Sequence, residues 1–165
     1  KNYPGQAVLE NKFSLDDIEK EWRAQIELAK KMIPRLSHVS GHMGCTNLND
    51  EAAAITKKLA IEYDIDIDTQ KLGVQGARYE GAHGTLAEKK ESFSKMLNKL
   101  EKGKTYMFVE HPGIDTPELR AISHIGYENV AEDRQGVTDL WIDEEIKALI
   151  KKKGIQLISY KDLVK

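Results

Sequence analysis

Leu36-Ser37-His38-Val39-Ser40-Gly41-His42-Met43-Gly44 opens on alternating apolar and polar side chains and then breaks into glycines. The alternation reads as a strand and the glycines as the loop that ends it. On a strand, His38, Ser40 and His42 all point to one side. A second stretch repeats the arrangement. Lys104 to Glu110 reads as a buried strand and runs directly into His111-Pro112-Gly113. Each stretch follows an amphipathic helix, so both histidines are expected at the carboxyl edge of one parallel sheet. Open α/β sheets and α/β barrels place their chemistry at that edge.

The flanking segments supply the helices. Ser14 with Asp17 starts a helix running to about Ile33, with Leu15, Ile18, Trp22, Ile26, Ala29 and Ile33 as its apolar stripe, and Pro34 ends it. Asn49 caps a second helix, Asp50 to Tyr63, with Ala53, Ile55, Leu59 and Ala60 inward. Ile65 to Asp68 leads into a short strand near Lys71 to Gln75, and Gly76 to Gly84 is a glycine-rich loop carrying Arg78, Tyr79, Glu80 and His83. Thr85 with Glu88 forms a capping box for a helix that turns Leu86, Phe93, Leu97 and Leu100 inward and stops at Gly103. Thr116-Pro117-Glu118 opens a short helix. Tyr127 to Ala131 reads as a short strand, Asp143 caps a helix stopped by Gly154, and Ile155 to Tyr160 reads as the last strand.

Strands alternating with helices mean βαβ units, an α/β class and a parallel sheet. Residues 1–165 read as a single domain, long enough to bury a core. A complete eight-stranded barrel takes about 250 residues, so this chain of 165 is an open sheet or part of a barrel.

Composition narrows the partners. The net charge is −2 and the lysines are scattered over helices, which argues against nucleic acid and a membrane surface. No apolar run approaches the ~20 residues of a membrane span. The lone Cys45 makes no internal disulfide, so cysteine usage leaves the compartment open. The chain starts at Lys1 rather than methionine and reads as the continuation of something longer.

Histidines carry most of the chemical signal. His42, beside glycine at a strand's end, suits a metal ligand, with an idle surface-loop histidine as the competing reading. His38, two residues inward, reads as a buried, hydrogen-bonded histidine that orients the site from behind. His111, held by a rigid Pro-Gly turn, suits a general acid or base, against an incidental turn histidine. His83 and His124 read as solvated or capping. Asp133 and Arg134 follow the Tyr127 strand and reach the same edge, or else form an ordinary surface ion pair. Two histidines do not complete a catalytic zinc site, which takes three protein ligands.

Four ordered stretches resemble the YdjC-like carbohydrate deacetylases. Pro34 to His42 resembles the family's Pro-Thr-His-Ile-Asp-Ser-His segment, and Glu110 to Gly113 its His-Pro-Gly turn. Asp133 to Leu140 resembles its Arg-Glu-Lys-Glu-Leu stretch, and Gly154 to Leu163 its closing Gly-Ile-x-Leu-Ile-x-Phe-x-Asp-Leu. Ser40 stands where the family has aspartate, and Gly44 where a further histidine often occurs. The resemblance implies a parallel-stranded, distorted (β/α) barrel of polysaccharide-deacetylase-like type, here lacking its first strands. It implies hydrolysis of an acetamido group on a sugar with a divalent metal ion of the zinc or magnesium class. Carried over by position, His42 is a metal ligand, His111 the acid that protonates the leaving amine, and Arg134 a catalytic supporting charge. His38, Arg78, Tyr79 and Asp133 lie behind these groups or against substrate.

The family's amino-terminal Asp-Asp motif, which supplies the base and one ligand, and its Gly-x-His-Leu histidine have no counterpart here (Asp16-Asp17 belongs to the first helix), so the expected partners are an N-acetylated saccharide and a missing amino-terminal segment of the same protein. Residues 1–165 alone are expected to be inactive. Two other readings stand beside the hydrolase: a non-catalytic carbohydrate-binding relative and a metal-dependent sugar isomerase of barrel type. The sugar, the oligomeric state and the compartment stay open, an oligomer being compatible with everything above.

Overall fold

Asp143 occupies a corner where two helices meet, and its side chain does two things there. Its Oδ1 accepts from the backbone N–H groups of Glu145 and Ile146 at 3.0 and 3.1 Å, capping the second helix, while Oδ2 pairs with Lys90 of a third helix at 2.8 Å. Such local pairings fix most of the helices in this computed structural model. It describes residues 13–123 and 125–164; residues 1–12, His124 and Lys165 lie outside the described set. The described residues fall into two compact units, one within Lys1–Asp68 and Ile158–Lys165, the other Thr69–Leu157.

The first unit is helical. Helix α1 (Leu15–Met32) begins where Ser14 Oγ accepts from the Asp17 N–H, with Asp16 and Asp17 in its first turn and Lys30 and Lys31 in its last. Those charges complement the helix dipole. Helix α2 (Asp50–Glu62) begins where Asn49 Oδ1 accepts from the Ala52 N–H at 2.8 Å. Ala52, Leu59, Ala60 and the following Ile65 are buried. Arg23 ties the helices together: its guanidinium reaches Glu62 of α2, Glu19 at 3.0 Å and the Tyr63 hydroxyl at 3.1 Å. Lys58 meets Glu19 at 2.7 Å.

Leu36 to Gly41 is not a strand, contrary to expectation; it is irregular backbone, and His42–Asn47 forms a 3-10 helix. Alternation defines which side chains share a side, but a strand exists only where a neighbouring ladder accepts its backbone groups. The alternation at 36–40 therefore does not fix His38, Ser40 and His42 on one face. Gly41 is required here because a Cβ would run into the Thr46 side chain.

The second unit contains the sheet. Strand β1 (Gln75–Ala77) pairs in parallel with β2 (Tyr106–Phe108), Gln75 opposite Tyr106 and Ala77 opposite Phe108. Helix α3 (Leu86–Lys99) connects them, making one βαβ unit, and opens with the expected capping box between Thr85 and Glu88. Helices α4 (Pro117–Arg120), α5 (Val130–Ile142) and α6 (Glu144–Lys152) follow. Phe93, Met96 and Leu97 of α3, Leu140 of α5 and Ile146 of α6 form the core, with Ala77 and Phe108 of the strands packed against it. Phe93, Phe108 and Trp141 meet ring edge to ring face, with centroids 5.1 to 6.2 Å apart.

The described chain is thus rich in helix with a small parallel sheet, compatible with the α/β class. The strand expected near Lys71 to Gln75 lies slightly later, at Gln75–Ala77. Tyr127 makes one isolated bridge, and Val130 already begins α5. Ile155 to Ser159 is irregular, followed by a 3-10 turn, Tyr160–Val164. No helix among the described residues is long and apolar enough to cross a membrane.

Candidate functional site

Both strands of the second unit end at the same edge, because they are parallel and in register. Arg78 and Tyr79 follow β1; Val109, Glu110 and His111 follow β2. That edge places the histidine turn. His111 is exposed, and its backbone N–H donates to Glu110 Oε2 at 3.2 Å. The Gly113 N–H donates to the Arg134 carbonyl at 3.1 Å, and Thr138 Oγ1 donates to the Gly113 carbonyl at 2.8 Å. A Cβ on Gly113 would lie 3.0 Å from Leu119 and 3.1 Å from Arg134 Cβ, so the missing side chain lets the turn lie against α5. The His-Pro-Gly turn is fastened to the helix that carries Asp133 and Arg134.

Those two residues lie in the first turns of α5, not after a strand as expected, yet the helix brings them beside the strand ends. Asp133 accepts from Lys89 Nζ at 2.5 Å on Oδ1 and from the Tyr127 hydroxyl at 2.6 Å on Oδ2. Partial burial pushes the Asp133 carboxyl up, but these two hydrogen bonds outweigh it and hold the group below the usual carboxylate range. The Tyr79 hydroxyl is buried with no hydrogen-bond partner among the described residues. Burial raises its phenol above the ordinary range, and the charges of Glu110 and Asp133 push the same way. Arg134 Nε is likewise buried and unpaired. Arg78 is exposed.

Lys89 is the member that the sequence reading passed over. It is 1% exposed, and its Nζ also donates to the His83 carbonyl at 2.6 Å. Its ammonium lies 5.6 Å from the centre of the Tyr79 ring. The signal was present in the sequence: Lys89 interrupts the apolar stripe Leu86, Phe93, Leu97 and Leu100 at helical spacing.

In the first unit, His38 is half-buried and stacks on Tyr160, with centroids 3.6 Å apart and planes 2° from parallel. Ser37 Oγ lies 3.2 Å from its Nδ1. Burial holds its imidazole below the ordinary histidine value. His42 opens the 3-10 helix and is exposed. Among the described residues no three His, Cys, Asp or Glu side chains gather into a group able to hold a metal ion. The donors among the described residues therefore do not amount to a complete metal site.

Two open hollows in the second unit, of about 420 and 190 Å³, share Asp115 and Glu132 as walls. The smaller is rimmed by Gly84 and Thr85. His111 lines neither, so the position of its turn rather than an enclosed cavity marks the site.

The family model described as YdjC-like protein matches residues 2–152. The chain belongs to the YdjC-like family. No curated protein matches it.

Proposed function

We propose that this protein is a carbohydrate deacetylase, a hydrolase that removes acetyl groups from N-acetylated sugars or oligosaccharides. The observation that carries the reading is the His111-Pro112-Gly113 turn, at the carboxyl end of β2 and bonded to the Arg134 backbone, in a chain of the YdjC-like family. The same reading sets the two-stranded sheet within a distorted (β/α) barrel.

Amide hydrolysis adds water across the carbon–nitrogen bond, and the departing nitrogen must gain a proton to leave as an amine. His111 is the donor in this proposal. An imidazole exposed at a strand end is placed to hand a proton to a bound ligand. The Gly113 N–H bond to the Arg134 carbonyl holds the backbone two residues after His111. Arg134 supplies a fixed positive charge beside this turn. Glu110 adjoins His111 and accepts from its backbone N–H at 3.2 Å.

A divalent ion of the zinc or magnesium class belongs to the proposal; it would polarise the acetyl carbonyl, and the groups described above do not by themselves complete a site for it. The test is acetate release from N-acetylglucosamine oligomers by the natural full-length protein, with and without chelator. His111→Ala is expected to lower kcat by about 100-fold or more, the usual contribution of a positioned acid. Full activity in His111→Ala would remove His111 as the acid, and activity indifferent to chelator would remove the metal.

Ser40, where the family has aspartate, favours a second reading, a carbohydrate-binding relative without catalysis. Sugar binding with no acetate release would establish it.

A further inference from the structure

We propose that the imidazole of His83 is a platform for one sugar ring, backed by Tyr79 and held in place by the buried side chains of Lys89 and Ser92. The proposal rests on the carbohydrate reading above and gives it a subsite.

Lys89 and Ser92 are the buried polar side chains among the described residues, 1% and 3% exposed. They stand three apart on α3, on one face. Both donate into the same loop: Lys89 Nζ to the His83 carbonyl at 2.6 Å, and Ser92 Oγ to the Ala82 carbonyl. The Glu80 N–H returns to the Ser92 carbonyl at 3.2 Å. Burying an ammonium is unfavourable unless its donors are satisfied, and leucine or methionine would fill the same volume. The polar pair therefore does something that packing alone does not require: it fixes the backbone from Glu80 to His83. Gly81 supports this with φ +136°, a conformation open to glycine, and its Cβ would lie 3.1 Å from Ser92 Oγ. Gly136 of α5 leaves room for the Lys89 stem, since a Cβ there would lie 3.0 Å from Lys89 Cε.

The ring is fixed as well as the backbone. His83 stacks on Tyr79 with centroids 4.8 Å apart and planes 13° from parallel, and its Nδ1 donates to the Gly81 carbonyl at 3.0 Å. Tyr79 in turn meets Phe108 and Phe93 edge to face at 5.1 and 6.4 Å. A column of rings thus runs from the core out to His83, which is exposed. The hollow of about 190 Å³ begins at the next two residues, Gly84 and Thr85, and gives space beside it. A pyranose ring presents C–H bonds on its faces and hydroxyls at its rim, so it stacks on a flat ring while the rim stays hydrated. A ring already held in position loses little freedom on binding, which favours affinity.

The test titrates the natural full-length protein with the trisaccharide of N-acetylglucosamine by calorimetry. His83→Ala is expected to raise Kd about tenfold and His83→Phe to stay near wild type, the scale of one ring contact. Lys89→Met, checked for folding by circular dichroism, is expected to raise Kd as well and to speed amide exchange at residues 81–84. Equal affinity in His83→Ala, a His83→Phe as weak as His83→Ala, or no binding by the wild type would each overturn the platform. Acetate release measured on the same samples separates the two ideas. Release with unchanged His83→Ala affinity removes the platform alone, whereas weakened His83→Ala binding without any release removes the deacetylase alone.

Discussion

Lys89 brings a full charge into the second unit, and its removal would be felt chiefly by Asp133. With Lys89 gone, that carboxylate keeps the Tyr127 hydroxyl but loses its counter-charge, at 23% side-chain exposure. Lys89→Met is expected to destabilise the fold by about 3 kcal/mol, as for a buried pair deprived of one partner, measured by urea denaturation. The double variant Lys89→Met/Asp133→Asn should recover much of that loss because no charge is left stranded. Acid should act on the same pair. The Asp133 carboxyl is held below its unfolded value, so its contribution is complete above about pH 4 and is lost as pH falls through the lower folded value. Asp133→Asn should flatten that acid limb of the stability curve. His38 carries the same sign at higher pH. Burial depresses its pKa, so stability falls once the pH drops below about 6.5, and His38→Gln should abolish that step. A curve without a change near this pH would remove His38 as its source.

At the scale of the element, Asp143 is the residue on which two helices and a third depend. It ends α5, caps α6 with two backbone N–H groups, and pairs with Lys90 of α3. Asp143→Ala is expected to cost about 1–2 kcal/mol, near the upper end for a lost cap, with an unchanged denaturant slope. A change under a few tenths would mean that the α3 contacts of α6 hold the corner without it. The capping signals at Ser14, Asn49, Thr85, Thr116 and Asp143 were legible in the sequence because a cap involves only three or four consecutive residues. The strands were less legible. Tyr106–Phe108 formed where an apolar run found β1 beside it, while Leu36 to Ser40 and Ile155 to Ser159 carried similar patterns and remained irregular.

Across the whole molecule, each unit closes on contacts far apart in the chain. In the first, Tyr160 returns to stack on His38, 122 positions earlier, in the same unit. Tyr160→Ala is therefore expected to increase amide exchange at residues 36–41 while β1, β2 and α3 keep their protection. Equal loosening of both units would show that they unfold as one body. In the second unit, the candidate site draws on the ends of both strands, on α3 and on α5. Among its members, the sequence pointed to His111, Asp133, Arg134 and Tyr79, through turn chemistry and family resemblance. Lys89 and Tyr127 were passed over, since their roles come from partners 44 and 6 positions away.

The amino-acid sequence by itself determined α1, α2, α3, α4 and α6 with their caps, the βαβ unit around α3 and the membership in the YdjC-like family, but not α5. These rest on spacings within a few turns of chain and on short ordered motifs, and both are local properties. Only the tertiary structure decided which apolar runs became strands, that Asp133 stands on a helix, and that a lysine and a serine in the core hold the loop beneath His83. A ladder needs a neighbour and a buried charge needs a counter-charge, and in this chain those partners are supplied from distant positions.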